Sequence, residues 1–429
     1  MRILVIGCVF IETVAFSLIR YMEFSPMALE HGRYSVVRVC DLVMQAYQLA
    51  QAIFKSYLIP SGKTVHPMGH VLFSPLNWGL GHASRDIPII RELLARGHDV
   101  TVASSGNALE LLRKEFPECR FIVFEDYPVP YSSTRFFLPK FTAYLPIMMK
   151  ALADERRNLA HILSRDRYDL IISDNRMGVY SKDIPSFFIT HQLRFSVPFF
   201  MWPVELTTLY VNGYFHKKFT GVIVPDNPPG PNAISGKLSR SSFRVTNVRA
   251  FYSGILCSTK KMDVREDLDY LVIISGPEPQ RTKLEEIMLS CITELPGEKV
   301  VLLGSPRKNS FIQLDESTRV YSYVPTDVKV ELMNRARFVI SRSGYTTMME
   351  IAELGKKHGL FIPTPGQTEQ EYLSRFYRKR GWFLSRSQYR LDLLRDVEMA
   401  MEYSGFPDMP KTEENVRNLY ENLLAQYLE

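Results

Sequence analysis

The chain has 429 residues, 46% hydrophobic and 23% charged, a balance ordinary for a globular protein of two or three domains. Its five cysteines (Cys8, Cys40, Cys119, Cys257, Cys291) are scattered without a CxxC pair, which argues against a zinc site or a disulfide framework and for a reducing, cytoplasmic setting. The formal charge of +6 permits contact with phosphates or anionic lipid but singles out no partner, and no nucleic-acid partner is expected.

The N-terminal stretch MRILVIGCVFIETVAFSLIR is apolar, but Glu12 and Thr13 interrupt it and no small-residue cleavage site follows. PSGKTVHP, ending at Pro67, reads as a linker. Residues 1–67 are therefore expected to be an appendage outside the core fold. They are either a membrane-associating hairpin or, the preferred reading, an upstream stretch included by an early start codon.

From Met68 strand and helix alternate. HVLFSPL reads as a strand, residues 84–96 as a helix with Ile87, Ile90, Leu93 and Leu94 at helical spacing, DVTVASS as a strand and ALELLRKEF as a helix. RFIVFED, YDLIISD and SFFITHQ are further strands. This βαβ rhythm predicts a doubly wound parallel sheet, whose ligands bind beyond the carboxyl ends of its strands. Asn77, Asp174, Asn175, His191 and Gln192 stand at such ends. The rhythm restarts near Asp267 with LDYLVIISG, KLEEIMLSCITEL, KVVLLGS, VYSYV, a helix over 327–335, and FVISRSG. The expected fold class is α/β, with two Rossmann-like domains, 68–256 and 257–410. A last helix within 411–429 carries Val416, Leu419, Tyr420, Leu423, Leu424 and Tyr427 on one face, so it must pack on something.

Several motifs sit at the strand ends. WGLGHAS places Gly79 and Gly81 between a strand and a helix, where backbone amides approach a ligand or simply make a tight turn. The second strand ends in Ser104 and Ser105 rather than an acidic residue, which disfavours NAD, and no P-loop lysine is present. His82 is either structural or a base for a hydroxyl nucleophile. Asp86, one turn later, is placed to contact it across the helix face or to satisfy the helix dipole. In the second half, SGPEPQR offers Ser275, Gly276 and Arg281 to a phosphate, or is a proline-rich helix start. Ser343 and Gly344 open another helix, with Glu350 further along it either accepting ribose hydroxyls or lying on the surface. PTPGQTEQEY supplies Gln367, Thr368, Glu369, Gln370 and Glu371, which suit a sugar or cap a helix. At successive strand ends of one domain, these groups fit a nucleotide-sugar pocket. Asp267 and Asp269 precede a strand, so they are read as a solvated turn and no metal site is expected.

The whole pattern resembles the GT-B glycosyltransferases, most closely family 28, which includes the N-acetylglucosaminyltransferase of the lipid-linked peptidoglycan precursor. The resemblance runs from Met68 to the C-terminus and rests on NWGLGHASRD, SRSGYTTMMEIAELG and PTPGQTEQEY. It implies two domains facing across a cleft and a C-terminal helix crossing back to the first. It places Ser343 and Gly344 at the donor's phosphates, Glu350 at the ribose, and Gln370 with Glu371 at the donor sugar. It sets Val324 at the base and His82, in the loop of Gly79 and Gly81, as general base or acceptor contact; Asp174 and His191, as polar strand ends of the first domain, are read with these glycines on the acceptor side. The chain departs from the family at SGPEPQR, which replaces a glycine-rich loop, and at Ser374, where the family has Asn.

The expected activity is metal-independent, inverting transfer of N-acetylglucosamine or another hexose from a UDP-sugar to an acceptor hydroxyl. UDP-sugar is a co-substrate and no cofactor is expected. The acceptor is a glycan or a glycolipid. Aromatic and basic residues in 127–150 and 195–206, among them Arg135, Phe136, Phe137, Lys140 and Lys150, suit peripheral contact with an anionic membrane at its inner face, or helix packing. The alternatives are a nucleotide-sugar 2-epimerase of the same fold and a non-catalytic nucleotide-sugar-binding subunit.

Overall fold

The apolar runs of the first half become β1 (His70–Pro75), β2 (Asp99–Ser104), β3 (Arg120–Val123), β4 (Leu170–Asp174), β5 (Ser186–Ile189), β6 (Gly221–Val224) and β7 (Ala250–Tyr252). They are seen in a computed structural model that describes residues 69–127, 137–194, 202–240, 249–305 and 310–429, with backbone alone at 137–145 and 202–208. The strands pair in the order β3-β2-β1-β4-β5-β6-β7, and every pairing is parallel. The central strands β4, β5 and β6 are buried throughout, as a parallel sheet covered on both faces requires. Helices α1 (Leu80–Ala95), α2 (Gly106–Glu115), α3 (Phe137–Arg165) and α4 (Trp202–His216) connect them.

The second half builds β8 (Leu268–Ile273), β9 (Lys299–Leu302), β10 (Phe311–Asp315), β11 (Thr318–Tyr321), β12 (Ala336–Ser341), β13 (His358–Phe361) and β14 (Leu384–Ser385). Their order is β10-β11-β9-β8-β12-β13-β14, with β10 antiparallel to β11 at one edge. Helices α5 (Gln280–Cys291), α6 (Thr326–Arg335), α7 (Tyr345–Leu354), α8 (Thr368–Arg380) and α9 (Leu393–Ala400) belong to this half. In each sheet the winding reverses beside its first strand, between β1 and β4 and between β8 and β12. A crevice opens at such a reversal, beyond the strands' carboxyl ends.

The last helix, α10 (Thr412–Leu419), runs through one π turn at Tyr420–Leu424 into Ala425–Leu428. Val416, Leu419, Tyr420, Leu424 and Leu428 are buried with Val71, Phe73, Val100 and Phe187 of the first sheet. The Tyr420 hydroxyl lies 2.6 Å from His98 Nε2. The final segment thus returns from the second sheet to the first, and this apolar contact explains its one-sided pattern. No helix among the described residues is long and apolar enough to cross a membrane. Residues 1–67, residues 128–136 and 195–201, and the side chains of Phe137 and Lys140 lie outside the described residues, and with them the readings made for the appendage, Arg135 and Phe136.

Candidate active site

The strand-to-helix turn after β1 starts its helix four residues earlier than periodicity indicates. Gly79 has φ +113, a backbone that side chains rarely adopt, and it serves as the N-cap of α1. His82 therefore sits in the first turn of the helix. A Cβ on Gly81 would stand 2.6 Å from Thr346 Oγ1 of α7, so this glycine lets the two domains approach.

His82 meets a carboxylate, but not the one its own helix supplies. Its Nδ1 lies 3.0 Å from Asp174 Oδ1, at the carboxyl end of β4. Arg85 Nη2 is 2.9 Å from the same nitrogen. The ring can donate to the first or accept from the second, not both. Arg85 is 2% exposed and Asp174 fully buried. Arg85 donates to both Asp174 oxygens, from Nε at 2.7 Å and from Nη2. Burial alone would raise Asp174, but Arg85 and His82 hold it well below the usual carboxylate range.

Asp86 does not contact His82 as its spacing suggested. It is fully buried and neither carboxylate oxygen has a hydrogen-bond partner. Burial, then the charge of Asp174, push it well above its ordinary 3.8, which favours the neutral acid beside the Arg85–Asp174 pair. The sign follows. A carboxyl raised in the folded state contributes stability below its unfolded pKa, and that contribution is lost as pH rises through the folded value. Asp86→Asn, neutral at every pH, should gain stability over wild type as pH climbs above about 4, by up to about 1.4 kcal/mol per unit. Thermal melts from pH 4 to 9 read this; parallel curves for the two proteins would rule out the buried acid.

His191, at the end of β5, is held at both ring nitrogens. Arg85 Nη1 donates to Nδ1 at 3.2 Å, which leaves the proton on Nε2, 2.9 Å from Glu369 Oε1 in the second domain. The ring stacks on Tyr345 at 4.2 Å and 8°, and Gln192 also donates to Glu369. His191 therefore links the domains and has no free nitrogen for an acceptor. Arg85 completes a chain of charge that sequence reading had not assigned to the site, and Glu369, read as one of the groups that suit a sugar, instead holds His191.

The second domain's groups gather around its own crevice. Arg342, 1% exposed, donates to the backbone carbonyls of Ser275, Ile362, Pro363 and Gln280. Among the described residues no carboxylate forms an ion pair with it, and burial pushes it down to about 10. Gly276 faces Thr364, whose Oγ1 would stand 3.3 Å from a Cβ there; that hydroxyl is buried without a partner. α7 begins at Gly344 with no side-chain cap, so its first amides remain available to an anion. A buried cation held by backbone carbonyls, a buried hydroxyl and an uncapped helix start thus gather at this crevice, a set whose charge and dipole favour an anion.

Other expected donor contacts are engaged within the protein. The Ser343 hydroxyl is buried, donating to Gln370 O at 3.1 Å and accepting from Ser374 at 2.9 Å, so it ties α7 to α8. Arg281 is paired with Glu278, just before α5, and with Glu285 one turn along it, each at 2.6 Å, so its charge is already met within the protein. Gln370 accepts from Thr364 N at 2.9 Å and donates to Gln367 at 2.5 Å. Glu371 accepts from Gly366 N at 3.0 Å, and Thr368 is exposed at the start of α8. Glu350 is 5% exposed, with Lys329 Nζ 2.9 Å from each oxygen and Thr259 at 3.3 Å. Val324 is half-buried in the turn after β11, against the core. Asp267 and Asp269 pair with Arg335 and Arg337, flanking the start of β8.

The sequence of residues 280–382 matches the glycosyltransferase family 28 C-terminal domain. A relative from Methanosarcina acetivorans, named an uncharacterized glycosyltransferase, is 24% identical over 357 residues, covering 74% of this chain and 85% of the relative. Among solved structures, the glycotransferase of kitacinnamycin superposes with a TM-score of 0.59 at 13% identity, over 84% of this chain and 100% of that one. Spinosyn rhamnosyltransferase SpnG, complexed with thymidine diphosphate, gives 0.55 at 14% identity, over 83% and 96%. The fold, the matched domain and the relatives converge: the chain is a glycosyltransferase of the GT-B fold, with a C-terminal domain of the family 28 type.

Proposed function

We propose that the protein transfers a hexose from a UDP-sugar to an acceptor hydroxyl by a single inverting displacement, without a metal ion. The observation that carries this reading is His82 against Asp174 at the crevice of the first domain, with its helix abutting α7 of the second. With its Nδ1 proton directed at Asp174, His82 keeps a lone pair on Nε2. That nitrogen takes the acceptor's proton as the acceptor oxygen bonds to the anomeric carbon. The bond from that carbon to the diphosphate breaks, and UDP leaves with the electron pair. Its charge falls to Arg342, the Thr364 hydroxyl and the open amides of α7, which are positioned before reaction. Complex formation by SpnG with thymidine diphosphate supports a pyrimidine nucleoside diphosphate here.

Glu350 holds the ribose in this reading, exchanging its Lys329 contact for the diol. Glu350→Ala should raise the donor KM at least about tenfold, the loss expected for charge-assisted hydrogen bonds, with a smaller change in kcat. Steady-state kinetics over donor concentration checks this, and an unchanged KM removes Glu350 from the donor site.

The acceptor is lipid-linked in the finer reading. Tyr210, Val211 and Tyr214 of α4 are 61%, 48% and 63% exposed. Lys218 lies 4.5 Å over the Tyr214 ring. Aromatic residues beside cations suit the boundary of an anionic membrane. The protein should sediment with phosphatidylglycerol vesicles and be released by salt; Tyr210→Ser with Tyr214→Ser should weaken that binding. Sedimentation equal to wild type would move the contact elsewhere.

A further inference from the structure

Helix α8 has two working faces. Glu369 contacts His191, Tyr372 accepts from Lys237 N, and Phe376 packs near Gly236, so this face meets the first domain. Glu371, Ser374, Arg375 and Arg378 follow at i, i+3, i+4 and i+7 and lie on the opposite face. There α8 meets the segment after β14 and the start of α9, and a cavity of about 470 Å³ opens between them. A second cavity of about 230 Å³ continues from it to Glu371 and Ser374.

The charges around the larger cavity do not balance. Arg378, Arg386, Arg390 and Arg395 line it, against Asp392 and Asp396. Asp396 is taken by Arg386 at 2.5 Å, and Asp392 caps α9 at Arg395 N. Among the described residues Arg378, Arg390 and Arg395 form no ion pair with a carboxylate. Ser387 Oγ accepts from Tyr389 N at 3.4 Å, which leaves its proton for another acceptor. Three solvent-exposed guanidinium groups without a carboxylate partner make one concave, positively charged surface, and their planar forks match phosphate oxygens. The volume lies within the range of small-ligand pockets and exceeds what a single phosphate fills.

We infer that this cavity is a second binding site, separate from the donor crevice, for a phosphorylated ligand whose phosphate is held by Arg378, Arg390, Arg395 and the Ser387 hydroxyl. The ligand is a soluble phosphorylated metabolite or a lipid phosphate headgroup, and the chemistry of recognition is the same for both. Its position beside Glu371 and Ser374 lets occupancy reach the loop that faces the donor.

Calorimetry on the full chain tests it, with inorganic pyrophosphate and glucose 1-phosphate as probes in the presence of saturating UDP. UDP-saturated protein should still bind one equivalent of a probe. Arg378→Gln, Arg390→Gln and Arg395→Gln should each weaken it about tenfold or more, with the affinity for UDP and the melting temperature unchanged. Vesicles of phosphatidic acid in phosphatidylcholine separate the two sources. Capture that pyrophosphate reverses and the triple variant lacks points to a lipid headgroup, whereas probe binding without capture points to a soluble ligand. Probe binding abolished by UDP, probe binding equal in the variants, or no binding of either probe or vesicle overturns the inference.

Discussion

His82→Ala is expected to fold, to bind UDP as wild type does, and to transfer sugar at least about a hundredfold more slowly, the usual contribution of a positioned general base. The expectation rests on the 3.0 Å approach of Nδ1 to Asp174 and on the partial exposure of the ring, 17%, which leaves the other nitrogen for the acceptor. Isothermal binding of UDP and initial rates over pH separate the two effects. His191 is not a substitute base, because Arg85 and Glu369 occupy its nitrogens. A His82→Ala enzyme with full activity at neutral pH would end the role assigned to this histidine.

Asp174→Asn should damage stability and rate together. Asp174 is the carboxylate that neutralises a buried Arg85, and breaking a buried pair on one side typically costs about 3–5 kcal/mol. It also orients His82; an amide in its place presents a donor where an acceptor is needed, so transfer should fall at least about a hundredfold. Asp86 makes the defect pH-dependent. Without the Asp174 charge, Asp86 ionises more readily beside Arg85 and partly replaces its partner. The stability deficit against wild type should therefore narrow from pH 5 to pH 8, whereas the deficit of the double variant Asp86→Asn with Asp174→Asn against Asp86→Asn alone should not change with pH. Denaturant melts at the two pH values measure both. A deficit that widens with pH would contradict the arrangement of these three groups.

The strands around both crevices were legible because buried parallel strands are continuous apolar runs, as in DLIISD and FVISRSG. The polar residues ending them followed from the topology. Less regular elements were not legible. β10, FIQLD, is mostly exposed and joins an edge, so no burial pattern marks it. β6 and β7 are four and three residues long, too short to carry a period. The site was half legible. Glycine turns and strand ends located it, but its charge pairing is non-local. Arg85 meets Asp174 and His191 across 89 and 106 residues, so nothing local in HASRD marks it as part of the site. The same limit misplaced Asp86, whose helical spacing from His82 indicates a shared face but not that β4 delivers the nearer carboxylate. Arg342 and Arg281 show the reverse error. The arginine with carboxylates three residues before and four after it neutralises itself, while the one inside SRSG is buried without a carboxylate partner among the described residues.

The most direct test is proton NMR of the wild-type enzyme with an α-linked UDP-sugar, in EDTA and without an acceptor. Slow hydrolysis then uses water in place of the acceptor hydroxyl, so the stereochemistry of the displacement can be read before its natural acceptor is known. A single displacement predicts that the β-anomer of the free sugar appears first, that UDP accumulates in equal amount, and that His82→Ala suppresses both. Release of the α-anomer, dependence on added Mn²⁺, or conversion of the donor to an epimeric UDP-sugar would contradict metal-independent inverting transfer.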